Sequence, residues 1–137
     1  TKEWYSGVRV NMKLYEVVNF YEFYKIYLAT ESVNVKTAYK ISRILNKTKD
    51  DYEFYQENIK KLFNEYLEHN EDGTPVVAED GINWKTKEGK TEEFMEKVNE
   101  LYNIEVDFAD EYKLSIDDFD GLVVSMDNFK DIINFFE

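Results

Sequence analysis

Residues 34–69 read NVKTAYKISRILNKTKDDYEFYQENIKKLFNEYLEH, and this stretch decides the fold. Ala38, Ile41, Leu45, Thr48, Tyr52, Tyr55, Ile59, Leu62 and Tyr66 recur at alternating spacings of three and four, which lines them along one side of a helix. Thr48 is the one polar member. No Gly or Pro interrupts Asn34–His69, so the spacing predicts one continuous helix over about 34–69, roughly 54 Å long. Asn34 is suited to cap it, with Val33 and Ala38 as a hydrophobic staple. A helix of that length cannot bury its seam alone. It has to pack against another helix or against a second copy of the chain, so a homodimer through the long helix is one arrangement the sequence leaves open.

Working outward, Val8, Val10, Met12 and Leu14 alternate with Arg9, Asn11 and Lys13, the period of a half-buried strand. Met12 also reads as an initiating methionine, in which case Thr1–Asn11 is a leader or an added segment. From Tyr15 to Ala29 the period becomes helical, with Leu14, Val17, Tyr21, Tyr24 and Leu28 on one stripe and Phe20, Phe23 and Tyr27 widening it. Aromatic residues are weak intrinsic helix formers, so tertiary burial must hold this segment.

Downstream of the long helix, Asn70–Gly73 is a turn. Pro75–Val77 and Ile82–Trp84 flank Asp80-Gly81 as a short hairpin, and Thr91 is placed to cap a helix carrying Phe94, Met95, Val98, Leu101 and Tyr102. Ile104–Phe108 and Tyr112–Ile116 alternate as two strands joined near Ala109–Glu111. Ser125 caps a last helix with Phe129, Ile132, Ile133 and Phe136. The predicted fold class is α+β, mostly helical: a long helix packed against a shorter N-terminal one, with short hairpins and two small C-terminal helices, in a single domain over 1–137.

Composition narrows the function. The 137 residues contain no Cys and one His, which removes disulfides, thiolate metal sites, Cys nucleophiles and most zinc or triad chemistry. No phosphate-cradling Gly-rich loop, nucleophile elbow or His-Glu-x-x-His occurs. Asp50/Asp51, Glu92/Glu93 and Asp117/Asp118 are adjacent carboxylates in strongly hydrophilic contexts, which suits a solvated face better than acid–base catalysis. His69, at the expected helix end, suits the macrodipole. Glu68–Glu79 places oxygen side chains at positions one, three, five and twelve around Gly73, as in a calcium loop. Glu at position one and Pro75-Val76-Val77 in place of an exiting helix count against it. Asp118, Asp120 and Asp127 around Gly121 imitate such a loop more weakly. The reading is therefore no enzyme, no metal and no cofactor.

The formal charge is −12, and its distribution is uneven. Residues 1–69 carry 11 basic and 10 acidic side chains, whereas residues 70–137 carry 6 and 19. An acidic half repels phosphate backbones and anionic lipid, which argues against direct nucleic-acid or membrane contact. What it suits is a solubilising surface, a face for a basic protein partner, or a mimic of nucleic-acid charge. Tyr15, Tyr21, Tyr24, Tyr27, Tyr39, Tyr52, Tyr55 and Tyr66 gather on the first two helices, where they build a wide aromatic core or offer a second docking face.

The order of Met12–Tyr15, Val33–Ile41, Glu71–Gly81, Phe94–Asp107 and Leu114–Gly121, closed by Ser125, resembles small acidic proteins of uncharacterised function encoded by tailed bacteriophages and prophages of low-GC Gram-positive bacteria. That resemblance spans Met12–Glu137 and implies a phage context in the cytoplasm of a bacterial host. Eleven carboxylates against Lys113 and Lys130 lie between Glu100 and Glu137. The expected partner site is there, at Asp110, Glu111, Asp117, Asp118 and Asp120. The expected function is a non-enzymatic accessory protein acting by protein–protein contact, the alternative being a nucleic-acid-mimicking inhibitor of a host defence or DNA/RNA-binding protein.

Overall fold

Strand β1 (Arg9–Lys13) pairs antiparallel with strand β2 (Glu105–Ala109), with Arg9 opposite Ala109 and Lys13 opposite Glu105. The computed structural model describes residues 9–29 and 32–137. Residues 1–8, which hold most of the expected leader and Val8 of the expected strand, and the side chains of Arg9, Val10 and Asn11 lie outside what is described. Helices follow as α1 (Leu14–Phe23), continued by one wide π turn (Tyr24–Leu28), α2 (Val35–Tyr66), α3 (Thr91–Tyr102) and α4 (Met126–Lys130). The mostly helical α+β class is the observed one. The chain divides into two compact units: the chain up to Tyr52 together with Glu105–Glu137, and Glu53–Ile104. The division falls within α2.

In the first unit, α1 begins where Lys13 N–H donates to Glu16 Oε2 at 2.7 Å. Buried Glu16 also accepts from the Asn134 amide, which fastens the C-terminal turn to this helix start. Asn34 caps α2 as expected, accepting from Thr37 N–H at 2.9 Å. The face of α2 that enters the core runs through Thr37, Ile41, Ile44, Thr48 and Tyr52. This shifts the expected seam, because Ile44 is fully buried while Leu45 stays half-buried. Both spacings obey the three-four rule, and the packing of α1 selects between them. Tyr21 stacks on Tyr52, and its hydroxyl donates to the Leu45 carbonyl at 2.8 Å. Phe20, Phe108 and Phe135 close the centre, with ring centroids 4.5 and 5.1 Å apart along the chain Phe20–Phe135–Phe108. A buried ring of this kind is worth roughly 1.5–3 kcal/mol relative to an exposed one.

β2 alternates as expected, with Val106 and Phe108 inward and Glu105 and Asp107 outward. Its partner differs from the expected one. The stretch 112–116 is not a strand: Asp110–Tyr112 and Ile116–Phe119 are 3-10 turns, and between them Leu114 forms a single parallel bridge to Phe136. Three alternating residues are too short a signal to choose a partner, and Val106 sits opposite buried Met12 across the β1–β2 pair. The last helix is also shorter than expected, ending at Lys130 and followed by a 3-10 turn over Ile133–Phe135.

In the second unit, α2 stops at Tyr66 because Leu67 enters a bridge with Thr86, and His69 enters one with Pro75. His69 is therefore exposed bridge backbone and not a helix cap. Three backbone hydrogen bonds close a ring here. Glu68 N–H donates to the Lys85 carbonyl, Lys85 N–H to the Val76 carbonyl, and Val76 N–H to the Glu68 carbonyl, at 2.9, 2.7 and 2.9 Å. The expected hairpin is present, with Val77 opposite Trp84. Its turn is held by Asp80, whose Oδ1 accepts from Ile82 and Asn83 N–H, and by Gly81 at φ +72°. Thr91 is the first helical residue of α3, preceded by Lys90 at the cap position, so it does not cap from outside. Phe94 of α3 packs its ring against Phe63 and Tyr66 of α2.

Candidate functional site

The C-terminal segment of the first unit is held on α2 by one latch. Ser115 starts the 3-10 turn Ile116–Phe119, and its N–H donates to Asp118 Oδ2 at 2.8 Å. Lys40 Nζ reaches both Asp118 carboxylate oxygens at 3.0 Å, and Thr37 Oγ1 donates to the Asp118 carbonyl at 2.8 Å. The Asp118 side chain is left 11% exposed. Burial pushes its carboxyl up, but the Ser115 N–H and the Lys40 and Lys36 ammonium groups outweigh that and hold it below the usual carboxylate range. Asp118 is thus committed inside the protein and is not a carboxylate presented to a partner, which corrects its place among the expected docking residues.

Asp110, Glu111, Asp117 and Asp120 are exposed. Asp110 meets Lys113 at 3.1 Å. Glu105 and Asp107 add to the outward charge from β2, Glu105 lying 3.6 Å from Lys13.

Between the latch and α4 the surface sinks into an apolar groove with a volume near 390 Å³, lined by Phe23, Phe119, Leu122, Val124, Met126 and Phe129 among others. That lies within the roughly 300–1,000 Å³ range of ligand-sized pockets. Leu122 and Val124 turn toward it from an extended stretch, while Val123 between them is 89% exposed. Met126 is 82% and Ile116 66% exposed. Gly121 at φ +87° turns the chain from Asp120 into this stretch, a conformation that a Cβ would strain. On the far side, Ser125 caps α4, and Asn128 donates to the Tyr27 hydroxyl at 2.6 Å. Hydrogen bonds from Ser125 and Asn128 lower the Tyr27 phenol from its ordinary value. The groove was not foreseen from sequence. Its one sequence signal is Leu122-Val123-Val124 following a glycine turn with no polar alternation to hide it.

The remaining candidates are occupied by local chemistry. Asp72 Oδ1 accepts from the Thr74 N–H and hydroxyl at 3.0 and 2.6 Å, which lowers its carboxyl, so the calcium-like loop is folded as a turn around its own side chains. Among the described residues no group of three or more His, Asp or Glu is placed to hold a metal ion. Asp51 is half-buried on α2, and its carboxyl is raised by that burial and by neighbouring Asp50. No described helix is long and apolar enough to cross a membrane. No protein-family model, curated protein or solved structure matches the chain.

Proposed function

We propose that this protein is a non-enzymatic interaction module, of the accessory kind that tailed phages and prophages encode, working in the cytoplasm of a bacterial host. Its acidic C-terminal segment docks on a basic surface of a partner protein. The observation that carries this reading is the coincidence of charge and exposure: Glu111, Asp117, Asp120, Asp127 and Asp131 all face solvent around a segment whose only lysines are Lys113 and Lys130. The arrangement suits a protein partner better than nucleic-acid mimicry, because a phosphate-like row of carboxylates gains nothing from surrounding an apolar groove.

The test is fluorescence anisotropy with a labelled lysine-rich peptide. Binding is expected to weaken steeply as salt rises through the physiological range, since exposed charges are screened beyond about 8–10 Å there. Replacing Glu111, Asp117 and Asp120 together by Gln, Asn and Asn, with Asp118 left in place, is expected to weaken it further. Salt-insensitive binding, or a triple variant equal to the parent, overturns the proposal.

A further inference from the structure

Most of the groove's lining and several exposed carboxylates come from one stretch of chain, 116–131, and they make different demands on an occupant. Met126 and Ile116 present apolar area to water at the groove's mouth, and Phe119 and Phe129 line it further. Exposed apolar area of this kind, rimmed by polar residues, marks interaction sites on soluble proteins. The segment that supplies most of the lining is predominantly acidic. Between Ile116 and Glu137 the chain carries six carboxylates and one lysine. Asp118 is neutralised by Lys40, which leaves Asp117, Asp120, Asp127 and Asp131 exposed beside the lining residues in sequence. An apolar side chain entering the groove from an acidic segment would bring like charges together, whereas one flanked by Lys or Arg finds a partner for each. Methionine at the mouth suits side chains of varied shape, because its thioether chain is unbranched and adaptable.

We infer that the groove between Phe119 and Phe129 receives one large apolar side chain from a basic segment of the partner protein, with the surrounding aspartates pairing the Lys or Arg residues that flank it. This rests on the docking proposed above and gives it an anchor. Charge sets the encounter and the register, and the buried side chain sets the lifetime of the complex.

The experiment compares three labelled peptides: a lysine-rich peptide with one central Phe, the same peptide with Ala at that position, and a glutamate-rich peptide with the Phe. The Phe peptide is expected to bind the parent at least tenfold more tightly than the Ala peptide. That difference should vanish in the double variant Leu122→Ser/Met126→Ser, which changes no charge and whose melting is checked against the parent. Equal binding of the Phe and Ala peptides overturns the anchor while leaving charge-driven docking intact. Failure of both basic peptides to bind overturns the two proposals together. Binding of the acidic Phe peptide as tight as the basic one overturns the charge selection. A dimeric parent that the double variant converts to monomer in sedimentation overturns the assignment in favour of a second copy of this chain.

Discussion

Asp118 and Lys40 stand 78 positions apart in the chain, and the Lys40 ammonium lies 3.0 Å from both Asp118 carboxylate oxygens. The same carboxylate caps the turn beginning at Ser115. Two loads therefore rest on one side chain, a long-range ion pair and a local cap. Asp118→Ala is expected to cost about 2–3 kcal/mol, in the range for hydrogen bonds to a charged group, and Asp118→Asn less, since an amide still caps. The pH dependence has a defined sign. The folded carboxyl is depressed, so its contribution is complete above the unfolded value near pH 4 and is lost as pH falls through the lower, folded value. Thermal melts of parent and Asp118→Asn should differ most at neutral pH and converge as pH drops below about 4. A constant gap would remove the pair from the account of stability.

The register of α2 yields a paired test. Ile44 is fully buried and Leu45 half-buried. Ile44→Ala is expected to cost about 2–5 kcal/mol, with Leu45→Ala costing less than half as much in the same urea titration. The reverse order would place the seam where sequence spacing alone puts it.

Tyr21 and Tyr52 stack with centroids 3.9 Å apart and planes 10° from parallel. Lys25 Nζ donates to the Tyr52 hydroxyl at 2.9 Å, and that bond is the chief reason its ammonium is raised above the ordinary value. Tyr21→Phe should cost about 1 kcal/mol through loss of the bond to the Leu45 carbonyl. A double-mutant cycle of Tyr21→Leu and Tyr52→Leu should return a coupling of about 0.5–1.5 kcal/mol. Strict additivity would mean the rings stack without mutual benefit.

The ring of hydrogen bonds through Glu68, Val76 and Lys85 is a cooperative feature accessible to hydrogen exchange. Val76→Pro deletes one donor and leaves the Glu68 carbonyl without its partner, at a cost of about 1–3 kcal/mol. The Glu68 and Lys85 amides, untouched by the substitution, are expected to lose protection together. Continued protection of either would show three independent bridges and no ring.

Much of this architecture was legible in the sequence, and the failures have physical causes. The long helix, its Asn34 cap and the Asp80-Gly81 turn are local: a few neighbouring residues carry the whole signal, so reading the chain finds them. Ile44 against Leu45 is a choice between two faces some 100° apart, and only the position of α1 makes it. The partner of β2 lies a hundred positions away at β1, where no local pattern records it. Among the expected docking residues, Asp117 and Asp118 look alike in sequence. One is exposed and the other is committed to Lys40, because a 3-10 turn directs adjacent side chains about 120° apart. The groove has no periodic signature, because Leu122, Val124 and Met126 follow a strand period whereas Phe129 follows Met126 at helical spacing.

The pairing of β1 with β2 also sets a timetable. Glu53–Ile104 is one uninterrupted run, and its bridges and the ring contacts of Phe63 and Tyr66 join residues within it, so these contacts need no residue synthesised after Ile104. The other unit is written in two pieces on either side of it. Its sheet must wait for Glu105–Ala109 and its aromatic centre for Phe135. Until then Phe20 of α1 lacks the Phe135 ring that covers it, and apolar surface left open in this way favours aggregation of a partly folded chain. Refolding followed by hydrogen exchange should accordingly be biphasic, with amides of the contiguous run protected first and those of the β1–β2 pair last.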